Sequence, residues 1–387
     1  MKQFIEEQQP AMLKLLETLV NQDSGSDYKE GVDKVGQLLI EQMQHLHFQP
    51  QIIEQSITGN HLIFTHEQAT APKILLVAHM DTVFGSNTVS TRPFTIEGER
   101  AYGPGVIDMK GSHVSLIYAL KALAEEKANA VLQNIQILFN SDEEIGSPTS
   151  QALIEQLAQG KDCCLCMEPA RANGALVSAR RGGGGYTIKV FGKASHAGIA
   201  PYEGANAIAE MAHKIIALQQ LNDEKAGISV NVDVIHGGTA ANVIADFVEA
   251  SVDIRTSKVE QGPILKERIR AICDETHIAG TRCELYGDIK RPPMERNEGT
   301  RALIDRIQQV AQTLSLEVTD VATGGGGDAS FTSLHTPTID GLGPVGGLAH
   351  SAQEYLEIPS LTERTLLLAK LMESLTIEKL ATSKVFA

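Results

Sequence analysis

Two short apolar runs, KILLVAHM at 73–80 and NIQILF at 134–139, are too brief for core helices and predict strands buried on both faces. Residues 3–20, 28–46 and 112–126 instead repeat their apolar positions at helical spacing. Strand and helix patterns that alternate in this way predict an α/β fold with a mainly parallel sheet covered by helices. After the second run comes NSDEEIGSP, where Ser147 followed by Pro148 predicts an N-cap and the first position of another helix. From about residue 180 the order becomes strand (186–192), helix (205–221), strand (228–235), strand (246–256), helix (262–276) and strand (282–289). That is the order of a ferredoxin-like α+β unit. Helices at 299–314 and 359–376 then resume the first pattern. The expected organisation is a catalytic domain in two parts, 1–180 and 292–387, with a smaller domain, 181–291, inserted between them.

Composition narrows the partners. The 387 residues carry a formal net charge of −15 without a basic cluster, which disfavours nucleic acid and anionic membrane surfaces. Glutamates interrupt the N-terminal MKQFIEEQQPAMLKLLETLV, so it does not read as a signal peptide, and a cytoplasmic protein is expected. Three of the five cysteines lie in CCLC (Cys163, Cys164, Cys166); with no second pair at zinc-finger spacing, they read as buried free thiols.

The candidate chemistry sits where strands end. His79 and Asp81 close one strand and, two residues apart, face the same way, so Asp81 is expected to orient the His79 imidazole. Asp108 lies in YGPGVIDMKGS just before a helix. NSDEEIGS supplies Asp142, Glu143 and Glu144, CMEPA ends a third strand with Glu168, and GGLAHSAQEY offers His350. In open parallel sheets, sites gather beyond the carboxyl ends of the strands, so these residues are expected to form one site. Asp142 reads as a solvated turn residue.

Together with GKASHAGIAPYEGANAIAE (192–210), HGGTAANVIADFVEASVDIR (236–255) and TGGGGDAS (323–330), these segments resemble the zinc-dependent peptidase and deacylase family. That family includes glutamate carboxypeptidase, aminoacylase, acetylornithine deacetylase, succinyl-diaminopimelate desuccinylase and peptidase T. The resemblance implies a zinc exopeptidase-like catalytic domain with two Zn²⁺ per subunit, for which Co²⁺ or Mn²⁺ could substitute. His79 and Glu168 would hold one ion, Glu144 and His350 the other, and Asp108 would bridge them. A cis peptide after Asp108 is implied too. Glu143 would be the general base, and His196, reaching across a homodimer formed through the inserted domain, would stabilise the oxyanion.

Asn242, Arg255, Arg291, Gly325 and Gly326 match substrate-contact positions in the same family. Two guanidinium groups would suit a dicarboxylate, and the glycines would offer backbone N–H groups to an anion. Gly327 stands where relatives usually carry Ser or Thr, and Ala245 replaces a frequent proline. The implied reaction is release of a C-terminal glutamate or similar residue from a small peptide or an N-acyl amino acid. A deacylase of the acetylornithine or aminoacylase type shares every catalytic residue. A catalytically silent, metal-dependent binding protein is the alternative from another class, disfavoured by the presence of Glu143.

Overall fold

The computed structural model describes residues 1–378 and residue 380. The chain forms two compact units. One comprises Met1–Ala179, Arg296–Thr323 and the chain from Gly327 onward; the other comprises Arg180–Glu295 with Gly324–Gly326.

The first unit is built on a six-stranded sheet. Its spatial order is Phe48–Ile53, His61–His66, Ile135–Asn140, Ile74–His79, Cys163–Cys166 and Thr338–Ile339. His61–His66 is antiparallel to both its neighbours, and the remaining pairings are parallel. This mainly parallel sheet, with helices around it, agrees with the expected fold class. Every residue of Ile74–His79 is buried, as an unbroken apolar run requires. Helix Gly111–Glu125 buries Val114, Leu116, Ile117, Leu120 and Leu123, and it packs against helix Ile358–Ile377, which buries Leu361, Leu367, Leu368 and Leu371.

Register then places the chemistry. Opposite His79 on one side is Asn140, the last residue before the acidic turn. On the other side Val77 pairs with Cys166, which brings Glu168 level with His79 two residues further on. Three side-chain sources therefore meet beyond the carboxyl ends of three adjacent strands.

Two expectations about helix ends fail. The N-terminal helix is split into Lys2–Glu7 and Gln9–Val20, with Pro10 in the first turn of the second, where its missing N–H cannot continue the first. The helix after the acidic turn starts at Gln151, not after Ser147; its N-cap is Ser150. All three cysteines of CCLC are buried, and the Cys164 and Cys166 sulfurs lie 3.9 Å apart.

The second unit is a four-stranded antiparallel sheet in the order Ser229–Gly237, Phe247–Thr256, Gly182–Phe191 and Arg282–Arg291, with helices Ala207–Gln219 and Gln261–Asp274. This is the ferredoxin-like arrangement. Ile188, Val190, Val230, Ile254, Leu265 and Ile269 belong to its separate core. Asn206 begins the first helix by accepting the N–H groups of Ile208 and Ala209.

Candidate metal centre

At the carboxyl ends of these strands in the first unit, the two oxygens of Asp108 part company. Oδ1 lies 3.1 Å from His79 Nε2, and Oδ2 lies 3.2 Å from His350 Nε2. Glu168 Oε1 approaches His79 Nε2 to 3.5 Å, and Glu144 Oε2 approaches His350 Nε2 to 3.3 Å. The five expected ligands thus fall into two groups around one shared carboxylate. Two sets of ligand atoms lie within 4.8 Å of one another: His79, Asp108 and Glu144, and His79, Glu143 and Glu168. Glu143 therefore stands inside the cluster with the ligands. The Asp108–Met109 peptide is cis.

The surrounding protein holds these groups from behind. His79 Nδ1 is 2.9 Å from the Asp81 carbonyl oxygen and 3.4 Å from the Asp81 carboxylate. Asp81 accepts the N–H groups of Glu143 and Glu144 and the hydroxyl of Ser26, at 3.2, 3.2 and 2.6 Å. It therefore orients His79 chiefly through its main chain, while its side chain shapes the turn carrying both glutamates. Buried His113 places Nε2 2.7 Å from the His79 carbonyl oxygen. Arg92 donates to the Ser351 carbonyl at 2.7 Å and lies over the Phe84 ring, bracing the turn next to His350.

Asp142 is not solvated. Its side chain is fully buried and accepts the N–H groups of Thr149 and Ser150 and both of their hydroxyls. The acidic triplet thus divides, Asp142 turning into the interior while Glu143 and Glu144 both face the cluster. Sequence reasoning also passed over Glu354, which is buried under the Asp108 loop. Its position in AHSAQEY, four residues after the candidate ligand His350, was the available signal.

Electrostatics shows which charge the cluster favours. Burial pushes the Glu144 carboxyl up to about 8, with the Asp108 charge adding to the effect. Burial and the same neighbour push Glu168 up to about 7. Contact with Asp108 draws His350 up to about 9, so a proton is welcome there. Burial opposes charge on His79 and Asp108, yet hydrogen bonds reverse the outcome: Asp108, Asp81 and Glu168 raise His79, and the two histidines hold Asp108 well below the usual carboxylate range. The cluster as a whole therefore favours positive charge between its carboxylates. Glu144 Oε1 is buried without a hydrogen-bond partner among the described residues, as an oxygen kept for a cation would be. Two imidazoles with three carboxylates suit a borderline divalent metal, so the residues present fit a metal pair.

In the second unit, His196 is exposed and its Nδ1 accepts the N–H groups of Gly198 and Ile199, which puts the neutral ring's proton on Nε2. Asn242 lies beside it, its carbonyl accepting the Ala197 N–H. Arg255 and Arg291 both pair with Gly183 across the sheet, one on either side of it. Arg255 is forked onto Asp253 at 2.9 and 3.0 Å, so its two-pronged face is already engaged. Gly326 makes room for Arg291: a Cβ there would lie 2.6 Å from Arg291 Cδ. The Gly325 and Gly326 carbonyls accept from Arg180, a third guanidinium that the sequence did not single out.

Fold and clustered ligands together define a metal-dependent hydrolase of peptide or amide bonds. The chain belongs to peptidase family M20/M25/M40, whose model matches residues 75–374. It is 30% identical to carboxypeptidase G2 of Pseudomonas sp. (strain RS-16) over 95% of this chain and 90% of that protein. To a succinyl-diaminopimelate desuccinylase of Nitrosospira multiformis it is 26% identical, over 95% and 99% of the two chains. Its fold is similar to that of aminopeptidase PepT from Bacillus cereus, with a TM-score of 0.79 at 19% identity, covering 96% of this chain and 99% of that one.

Proposed function

We propose that the protein is a dizinc carboxypeptidase that hydrolyses the amide bond before a C-terminal glutamate or similar residue in small peptidyl or N-acyl substrates. The observation that carries this reading is the division of Asp108 between two histidine–carboxylate groups. His79 and Glu168 would hold one zinc, Glu144 and His350 the other, with Asp108 common to both. Bound zinc would supply Lewis-acid polarisation of the scissile carbonyl and make water acidic enough to attack near neutral pH. Glu143 takes the proton from that water and delivers it to the leaving nitrogen. Asp81 sets the direction of Glu143 by fixing its backbone. His196, protonated on Nε2, donates to the oxyanion, and Asn242 contributes a neighbouring polar contact. Arg291 receives the substrate carboxylate. Arg255 does so only by exchanging Asp253 for it, and Gly325 and Gly326 shape the floor beneath Arg291.

Homodimerisation through the second unit completes the reading, because His196 would then serve a partner's site. Supporting it, strand Ser229–Gly237 is an edge of its sheet and exposes Val234 and Ile235. A cytoplasmic location agrees with five unbridged cysteines, four of them buried; no helix among the described residues is long and apolar enough to cross a membrane.

The test is zinc-loaded hydrolysis of substrates sharing one acyl group and releasing glutamate, leucine, ornithine or diaminopimelate. Preference for glutamate, with turnover lost by ~10²–10⁴-fold in Glu143→Gln while zinc is retained, is the expected outcome. Preference for a neutral or basic product would assign the deacylase chemistry instead. A metal-replete, folded protein that cleaves none of them would be a binding protein.

A further inference from the structure

Glu354 has no place in the reaction above, yet it is fully buried beside it. Its Oε2 accepts the Gly105 N–H at 3.0 Å, and its Oε1 accepts those of Ile107 and Asp108 at 2.9 and 3.0 Å. One carboxylate thus holds the main chain of the loop that presents Asp108. Its own N–H bonds to the Ser351 carbonyl in the turn that carries His350. The chain leaves it directly into strand Tyr355–Glu357, which pairs with Arg100–Tyr102, the segment leading into the same loop. Glu354 therefore joins two ligand segments about 240 residues apart in sequence, and it does so from both sides.

The two histidine–carboxylate groups depend on it unequally. His79 and Glu168 end or follow strands aligned by the sheet, and His79 is held further by Asp81 and His113. His350 has a positive φ of 64°, lies in a turn and is half exposed. Its approach to Asp108 relies on that turn keeping its distance from the Asp108 loop.

We propose that Glu354 is a positioning residue that sets the spacing of Asp108 and His350 and so controls occupancy of the metal position they share with Glu144. The proposal rests on the two-metal reading given above. It predicts an asymmetric effect. In Glu354→Gln the side-chain amide can present only one oxygen, so either the Gly105 bond or the Ile107 and Asp108 bonds are lost. In Glu354→Asp the charge remains but the chain is one methylene too short to span the same three N–H groups.

The experiment is metal binding to the full chain, by zinc titration against a chromophoric chelator and by Co²⁺ visible absorption, in wild type and both variants. Wild type should bind two equivalents. Both variants should keep one equivalent at wild-type affinity and bind the second about 10–100-fold more weakly, with turnover recovering as zinc is raised. Two tight equivalents in a folded variant, or equal weakening of both, would overturn the proposal. Far-UV circular dichroism decides which variant is used: should Glu354→Gln fail to fold, Glu354→Asp carries the test. A wild type that binds one equivalent would instead refute the two-metal reading.

Discussion

Replacing Asp142 by alanine tests whether the acidic turn is a structural joint or a solvated loop. The carboxylate accepts from Thr149 N, Thr149 Oγ1 and Ser150 N at 2.6, 2.7 and 3.2 Å, and from Ser150 Oγ at 2.5 Å. Alanine takes the acceptor from all four donors, two on buried Ser150 and two on exposed Thr149. The hydroxyls can rotate and the Thr149 N–H can turn to water, but the Ser150 N–H cannot. One orphaned N–H costs ~1–3 kcal/mol, so the central value of the loss is about 2 kcal/mol. At roughly 2–4 °C per kcal/mol for a unit of this size, the melting temperature should fall by about 4–8 °C. A solvated turn residue would change stability by no more than about 0.5 kcal/mol, or roughly 2 °C. Thermal unfolding of the metal-free protein separates the two cases without interference from bound zinc. Asp142→Asn, which keeps one acceptor oxygen, should fall between wild type and alanine. A drop below about 2 °C for Asp142→Ala would refute the buried-joint reasoning.

Three further outcomes are expected. Arg291→Lys should raise KM for a glutamate-releasing substrate by roughly tenfold or more with little change in kcat, since a point charge replaces a two-pronged contact; Arg255→Lys should do much less, because Asp253 already engages that fork. Steady-state kinetics on both variants checks this, and equal effects would show that Asp253 releases Arg255 to the substrate. Gly326→Val should act in the same direction as Arg291→Lys by displacing the Arg291 stem, and an unchanged KM would remove Gly326 from the pocket. Dialysis against a chelator should abolish hydrolysis and lower the melting temperature, with zinc restoring both; metal held at 100 times its dissociation constant contributes about 2.7 kcal/mol per site. Full activity in demonstrably metal-free protein would contradict the mechanism.

Elements with strong periodicity were legible in the sequence. The buried run before His79, the ferredoxin-like order after residue 180 and the position of His79 itself stand where hydrophobic pattern and strand ends placed them, whereas His350 was reached through the family resemblance. Less legible was anything decided by contacts between distant segments. Asp142 looks solvated because its neighbours in sequence are charged, but its partners Thr149 and Ser150 lie in the turn that leads into a helix whose start the Ser147–Pro148 signal misplaced. Glu354 is an unremarkable acid in sequence, and only the fold brings the Gly105 loop onto it. Arg255 read as a free clamp because the i, i+2 geometry of a strand also brings Asp253 to the same face, a pairing that a list of candidate contacts does not weigh.

The second unit leaves and re-enters the chain through a pair of neighbours. Arg180 and Met294 exchange both of their backbone hydrogen bonds at 3.0 Å, so the two ends of the intervening segment lie side by side like the stems of a hairpin. A short turn could close that gap. The segment is thus topologically a detachable cassette: excising it and joining the stems would leave the metal-ligand segments of the first unit in their original order, while removing His196, Asn242, Arg255 and Arg291 together. The proposed substrate contacts and the proposed oxyanion donor are thus encoded together in one contiguous stretch of the gene, apart from the candidate metal ligands.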